Sequence, residues 1–402
     1  MIPPDWRSGT LGDLAQETGG CIQTGPFGSQ LHASDYLPEG VPVVMPVNIG
    51  DNRLVVRDVA RIGEDDAGRL SRHTLRVGDI VYSRRGDVEK RALVRPAQEG
   101  WLCGTGCLLV RVGGAQVDST YVSYWLGLPE TRAWVSQHAV GATMPNLNTG
   151  ILSAVPVLLP PLSEQRGIAR TLVTLDDKID SNERVGEVCL ALAVVAYRAA
   201  SLNASQRLAL GDAGKWLSGG TPSTEEAAFW NGDFPWISAA SLKSFHVAVS
   251  DRLLTSAGLQ QATNVVPAGT VLLVVRGMSL KSELRMGVAQ RPVAFGQDVK
   301  AIIPRGVPSA LLATALYSAR SDILELVDEA GHGTGRLQWD LLSAFPIAIP
   351  DDDDERLVPV LDVLLARAAA ASAESRKLAE LRDALLPELL SGRIRVPEAA
   401  TT

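Results

Sequence analysis

Leu147 to Asn182 reads LNTGILSAVPVLLPPLSEQRGIARTLVTLDDKIDSN, and the fold follows from it. The apolar run Ser153-Ala154-Val155-Pro156-Val157-Leu158-Leu159-Pro160 is too short and too proline-bounded for a helix, so it is expected to form a buried or edge strand. Ser163 then stands as a helix N-cap, with Pro160 and Pro161 just outside and Glu164 in the first turn. Beyond it Ile168, Leu172, Leu175, Ile179 and Val185 recur mostly at steps of four and three. Such a narrow apolar seam packs against one partner helix rather than into a broad core.

The same arrangement returns about 190 residues later. Leu337-Gln338-Trp339-Asp340-Leu341-Leu342-Ser343-Ala344-Phe345-Pro346-Ile347-Ala348-Ile349-Pro350 aligns with Leu147 to Pro160 without a gap. It too leads into a helix, with Leu357, Leu361, Leu364, Ala368, Ala371, Leu378, Leu381 and Leu385 at steps of three and four and one longer step. A period this long is not a solenoid repeat. It is a duplicated domain with its helix.

A chain of 402 residues has room for two or three domains with full cores. Its 46% hydrophobic and 21% charged content describes a soluble globular protein. No apolar run is long enough to cross a bilayer, and Met1-Ile2-Pro3-Pro4-Asp5 lacks the features of a signal peptide, so a cytoplasmic location is expected. Cys21, Cys103, Cys107 and Cys189 are scattered; with no second Cys or His pair beside Cys103 and Cys107, they read as reduced thiols rather than a zinc site. The net charge of −7 weighs against a wholly basic nucleic-acid binder. Its distribution softens that objection, because the tail from Asp351 holds eleven acids against seven bases while Arg84 to Arg95 holds five bases against two acids. A local basic face on an acidic protein suits a subunit that shares its binding with a partner.

Along the first unit, Trp6, Leu11 and Leu14 suggest a strand and short turn, and Gly25-Pro26-Phe27-Gly28-Ser29 a glycine-rich turn. No Gly-Lys-Ser/Thr follows that turn, so it is not a phosphate loop; it reads as structural, with backbone contact to a DNA phosphate as the alternative. Val41 to Met45 reads as a strand, Val77 to Gly86 as a turn followed by a strand that ends in charge, and Leu93-Val94 and Cys107 to Val112 continue the β pattern; Tyr121 to Gln137 reads as a helix whose aromatics pack into a core. Gly141 to Asn148 is a polar loop. The linker helix runs from about Ser163 to about Asn203, roughly 60 Å at 1.5 Å per residue. In the second unit, Pro267 to Gly277 repeats the Arg76 to Gly86 strand down to its final Arg-Gly pair; Leu311 to Val327 is the counterpart helix, and Gly331 to Arg336 the counterpart loop. The closing helix covers about Glu355 to Leu390.

Three further motifs complete the pattern: Gly219-Gly220-Thr221-Pro222-Ser223, Gly232-Asp233-Phe234-Pro235-Trp236 and Pro160-Pro161-Leu162-Ser163-Glu164-Gln165. Taken with the duplication, the chain resembles the DNA specificity subunit of type I restriction–modification enzymes over essentially its whole length. It departs from the pattern where Asp351-Asp352-Asp353-Asp354-Glu355 replaces the Pro-Leu-Ser-Glu-Gln of the first copy, which bears on whether both helices present equivalent surfaces. The resemblance implies an α/β (α+β) fold with two similar target-recognition domains separated by two long antiparallel coiled-coil-like helices. It assigns 1–160 to the first target-recognition domain, 161–210 to the central spacer helix, 211–350 to the second target-recognition domain and 351–402 to the C-terminal spacer helix and tail. It also implies a non-catalytic subunit without cofactor, in which each domain reads half of a split, asymmetric site on double-stranded DNA. Partners are implied too: adenine methyltransferase subunits that use S-adenosylmethionine, and a restriction and translocase subunit, with ATP and Mg²⁺ confined to these partners. A rigid helix pair makes independent physical sense, since major-groove edges recur about every 34 Å along the duplex.

Reading base edges requires Arg, Lys, Asn or Gln side chains on loops that enter a groove. The candidates are Arg84, Arg85, Lys90, Arg91, Thr143, Asn146 and Asn148 in the first unit. In the second they are Arg276, Lys281, Arg285, Thr334, Arg336 and Gln338, with Lys243 more remote and His332 a further loop candidate. For each, a solvated charge or a turn residue is the competing reading. Two other functional classes stay open: a stand-alone metal-dependent nuclease using Asp87, Glu89 and Lys90, whose spacing does not fit the usual acid, then acid-Xaa-Lys order, and a scaffold that binds a methyltransferase without reading DNA. An Asn-Pro-Pro-aromatic methyltransferase motif and a Gly-Xaa4-Gly-Lys-Ser/Thr loop are both absent.

Overall fold

Thr10 and Asp13 form a capping box: the Thr10 hydroxyl accepts from the Asp13 N–H at 3.2 Å, and the Asp13 carboxylate accepts from the Thr10 N–H at 2.8 Å. This box turns the strand Arg7–Thr10 into the helix Leu11–Glu17, whose Leu11, Leu14 and Ala15 are buried. The strand and short turn expected around Leu11 and Leu14 are therefore a strand and a helix. The computed structural model describes residues 3–141, 143–262, 264–330, 333–350 and 356–396. The chain divides into two units, Met1–Asp177 with Leu378–Thr402, and Lys178–Lys377.

The first unit holds a five-stranded sheet in the order Cys21–Thr24, Cys107–Arg111, Ile80–Ser83, Arg91–Leu93, Asp51–Asn52, with only the last pair parallel. The second unit repeats it as Gly214–Ser218, Val299–Pro304, Val271–Val274, Met286–Ala289, His246–Val247, again with only the last pair parallel. Each unit adds a smaller four-stranded sheet. Each also pairs the strand before its long helix with the opening strand of the unit: Pro156–Leu159 with Arg7–Thr10, and Pro346–Ile349 with Gln206–Ala209. The duplication read from the sequence is thus a duplication of topology and strand sense.

Three elements are shorter than the sequence suggested, a side-chain cap explaining one and proline another. The strand before the first long helix is Pro156–Leu159, because Asn148 caps a short helix Thr149–Ser153 that absorbs Ser153. The expected helix over Tyr121 to Gln137 is two, Ser119–Trp125 and Pro129–His138. Pro129 forces Leu128 out of the helical region (φ −57°, ψ 140°) and starts the second helix at its first position. In the second unit, Leu311 to Val327 resolves into Ser309–Ser318, Arg320–Leu324 and the start of a strand, Val327–Ala330.

The long helices are Leu162–Ser201 and Leu357–Leu390. Within the first unit they run antiparallel: Asp176 meets Arg382 at 2.8 Å, while Glu164 meets Arg395 beyond the helix end. Ile168 and Leu172 are buried in that unit's core together with Leu389 and Leu390. Within the second unit Asn182 donates to Glu374 at 2.8 Å, and Ala193 and Tyr197 share the core with Leu357 and Leu361. The seam departs from the sequence reading at Leu381, which is 47% exposed; Arg382 turns inward instead, to Asp176. Among the described residues no helix is long and apolar enough to cross a membrane.

Candidate nucleic-acid interface

The strand Ile80–Ser83 is wholly buried and runs out into Arg84 and Arg85. Three segments come side by side there. The Leu147 N–H donates to the Arg84 carbonyl at 2.8 Å, the Gly86 N–H to the Pro145 carbonyl at 3.1 Å, and Arg85 bridges Asn146 in antiparallel register. Asn146 also exchanges both backbone hydrogen bonds with Val140, at 2.9 and 3.0 Å. The result is one row: Arg85, Asn146, Val140. Gly86 (φ 73°) and Gly141 (φ 114°) supply the left-handed backbone at the two turns.

The second unit builds the same edge as a three-stranded sheet. Arg276–Gly277 pairs with Thr334–Leu337, which pairs in turn with Val327–Ala330. The Leu337 N–H donates to the Val275 carbonyl at 2.9 Å, as Leu147 does to Arg84. Arg276 lies opposite Arg336, and Arg336 opposite Asp328. Arg276, Arg336 and Asp328 are the counterparts of Arg85, Asn146 and Val140. A Cβ at Gly335 would sit 2.8 Å from the Leu280 Cβ, so glycine there lets the turn Met278–Lys281 pack beneath the ribbon.

The candidates divide accordingly. Arg85, Arg276, Lys281 and Arg336 are exposed at these edges, as is Thr143 at the turn of the first; Thr334 is half-buried in the second ribbon. Arg84 and Asn146 are half-buried, and among the described residues the enclosed Arg84 Nε and Asn146 amide oxygen find no hydrogen-bond partner. Lys90 is exposed but ion-paired to Asp87 at 2.7 Å, and Arg285 to Glu283 at 2.6 Å. Asn148 spends its side chain capping the Ile151 N–H at 2.8 Å, whereas Gln338 donates to Asp328 at 2.9 Å. Arg91 does not belong to the set. It is 4% exposed, donates from Nε to the Ser123 carbonyl at 2.7 Å and pairs with Asp51 at 3.3 Å, so its guanidinium is consumed inside the domain.

Lys243 lies apart from the ribbon, lining a groove of about 850 Å³ with Arg198, His246, Tyr317, Arg320 and Arg376. Burial, with Arg376 nearby, pushes His246 down to about 4, so its imidazole is neutral at physiological pH. His332 falls outside the described residues. The compact acids of the first unit are engaged elsewhere: Asp87 by Lys90, and Glu89 by Arg132 at 3.2 Å and by the Ser136 hydroxyl. Among the described residues no three His, Cys, Asp or Glu side chains come together in a way that would hold a metal ion. The glycine-rich turn is structural at its start, where a Cβ at Gly25 would lie 2.0 Å from the Gly104 carbonyl oxygen and the Gly25 N–H donates to Cys107.

Sequence reasoning missed Val140 and Asp328, whose membership in the row depends on cross-strand register. It also missed Arg252, whose guanidinium stacks 3.8 Å above the Trp230 ring and 4.7 Å from that of Trp236. Trp236 ends the Gly-Asp-Phe-Pro-Trp motif, but nothing in the sequence ties Arg252 to it.

Residues 3–188 match the family described as "Type I restriction modification DNA specificity domain". Over that stretch, a little under half of its length, the chain carries a type I restriction–modification DNA specificity domain. Among its relatives, the specificity subunit of the Escherichia coli type I restriction enzyme EcoR124I/EcoR124II is 34% identical over 160 residues, 38% of this chain and 39% of that one. The MjaIX specificity subunit of Methanocaldococcus jannaschii is 27% identical over 153 residues, 37% of this chain and 34% of that one. These matches thus span little more than a third of either relative's length. The crystal structure of a type I restriction–modification S subunit from M. genitalium shares the fold at a TM-score of 0.60, covering 96% of both chains at 18% identity. The shared fold agrees with a molecule built as two copies of one sheet-rich domain, each followed by a long helix.

Proposed function

We propose that this chain is the sequence-reading subunit of a type I restriction–modification enzyme. Its two units read the two halves of a bipartite, asymmetric site on double-stranded DNA, and the chain itself catalyses no covalent step. Adenine methyltransferase subunits using S-adenosylmethionine, and an ATP- and Mg²⁺-dependent restriction and translocase subunit, act where this chain directs them. The observation that carries the reading is the edge built twice with different side chains. Arg85 and Arg276 occupy equivalent positions on equivalent strands, while their neighbours change from Asn146 to Arg336. Two copies of one reader with different polar faces suit two different half-sites. Arg84, Arg85, Thr143 and Asn146 in the first unit, and Arg276, Lys281, Thr334, Arg336 and Gln338 in the second, are the proposed contacts, divided between phosphates and base edges.

The test is methylation mapping of DNA from cells holding a methyltransferase partner, with and without this gene. A split adenine-methylated motif that appears only with the gene supports the reading. An unchanged methylation pattern, with the two proteins still co-purifying, overturns it in favour of a scaffold.

A further inference from the structure

The row opposite the shared arginine differs between the units in a chemically coherent way. In the first unit it runs Arg85, Asn146, Val140; in the second it runs Arg276, Arg336, Asp328. Directly opposed residues of an antiparallel pair share one face of the sheet. Arg276 and Arg336 therefore set two like charges side by side, an arrangement that costs stability in isolation. Among the described residues no ion pair within 4 Å neutralises either guanidinium, and Asp328 instead accepts from Gln338. The arrangement is suited to an acceptor-rich surface.

A phosphate would satisfy two arginines, but it would be repelled by Asp328, which is exposed on the same face. A G·C pair satisfies Arg336 and Asp328 together and leaves Arg276 to a neighbouring acceptor. Arginine forms a bidentate pair with O6 and N7 of guanine, and a carboxylate accepts from N4 of cytosine. The first unit carries the complementary set. An asparagine pairs with N6 and N7 of adenine, and an apolar side chain such as Val140, 64% exposed, packs on the thymine methyl. The carriers have the right form, since a two-stranded ribbon fits the major groove.

We propose that this row is the specificity cassette of each unit: Val140 and Asn146 select an A·T pair in one half-site, and Asp328 and Arg336 select a G·C pair in the other. The inference rests on the DNA-reading function proposed above. It goes further by naming the residues and the base-pair class each unit prefers.

The experiment exchanges the cassettes in the full chain, assembled with its methyltransferase partner. The double variants D328V/R336N and V140D/N146R are made, and methylated motifs are mapped for each. D328V/R336N is expected to convert one G·C position of one half-site to A·T and leave the other half-site unchanged; V140D/N146R is expected to make the reverse change in the other half. The preference at that position should move by about 5- to 150-fold, the span of one bidentate contact. R336K keeps the charge but loses the planar fork, so it should relax the G·C preference without altering the salt dependence of binding. Unchanged motifs in both double variants would sink the proposal. So would a uniform loss of affinity on every sequence with a shallower salt slope, the mark of phosphate contacts, although DNA reading by the chain would survive that result. If the unaltered chain directs no split motif at all, the functional reading itself is wrong, and the cassette with it.

Discussion

Arg382 lies 2.8 Å from Asp176, and the other oxygen of that carboxylate accepts a hydrogen bond from the Tyr124 hydroxyl. A single buried acid thus joins the closing helix, the first long helix and the core of the first recognition unit. The Tyr124 phenol is held well above its usual range by burial and by Asp176.

Removing that acid leaves the Tyr124 phenol without its acceptor and Arg382 with only Asp383 at 2.8 Å and Asp51 at 3.8 Å. Asp176→Ala is expected to cost about 3 kcal/mol, while Asp176→Asn, which keeps one acceptor, costs less. Leu381→Ala, on the exposed side of the same turn, should stay within about 0.5 kcal/mol. Urea denaturation followed by tryptophan fluorescence checks all three; equal losses for Asp176→Ala and Leu381→Ala would contradict the assignment of the seam.

Arg85 and Arg91 make opposite predictions. Arg91→Ala strands the Ser123 carbonyl and opens a void beside Gly127, so about 2–3 kcal/mol of stability should be lost with no change in the salt slope of DNA binding. Arg85→Ala should leave the melting temperature unaltered and weaken DNA binding. If Arg85 meets a phosphate, the slope of log K against log salt should fall by about one. Melting curves and binding at several salt concentrations separate the two.

Gly127 is tied to the same arginine. A Cβ at that position would lie 1.8 Å from Arg91 Nη2, so Gly127→Ala must displace the buried guanidinium. Gly25→Ala and Gly219→Ala press a methyl against the Gly104 and Phe295 carbonyl oxygens, at 2.0 and 2.2 Å. Each is expected to cost about 1–3 kcal/mol by overpacking, and a thermal melt showing any of the three as stable as the parent would refute the close approach.

His246 gives the second unit a pH dependence. Its folded value of about 4 lies below the 6.5 of the unfolded chain, so the unfolded state binds more protons between those limits. Stability is therefore complete above about pH 6.5 and falls as pH drops towards 4. His246→Gln should flatten the curve in that window, read as the difference between variant and parent denaturation midpoints at each pH. His73, also lowered by burial and by Arg72, adds a loss of the same sign in the first unit and is untouched by the substitution.

What the sequence made legible is what local chemistry repeats. Leu147 and Leu337 open equivalent stretches, and both donate from N–H to the carbonyl preceding an Arg-Gly pair, Arg84 before Arg85 and Val275 before Arg276. The break at Leu128-Pro129 was also readable in principle, because the residue before proline avoids the helical region. Aromatic spacing alone hid it. The capping role of Asn148 was present as a helix-start signal, but the strand pattern that follows overshadowed it.

By itself the sequence determined the duplication, the two long helices and the basic strand ends, since hydrophobic spacing, prolines and glycines act within a few residues of where they stand. Only the tertiary structure decided which polar groups remain free. Arg85 and Arg91 are six residues apart and chemically identical, yet one is exposed at a turn and the other is spent on Ser123 and Asp51, 32 and 40 residues away. Likewise Val140 and Asp328 join their rows through pairing with another strand. Burial and cross-strand register are set by residues distant in the chain, and no local pattern encodes them.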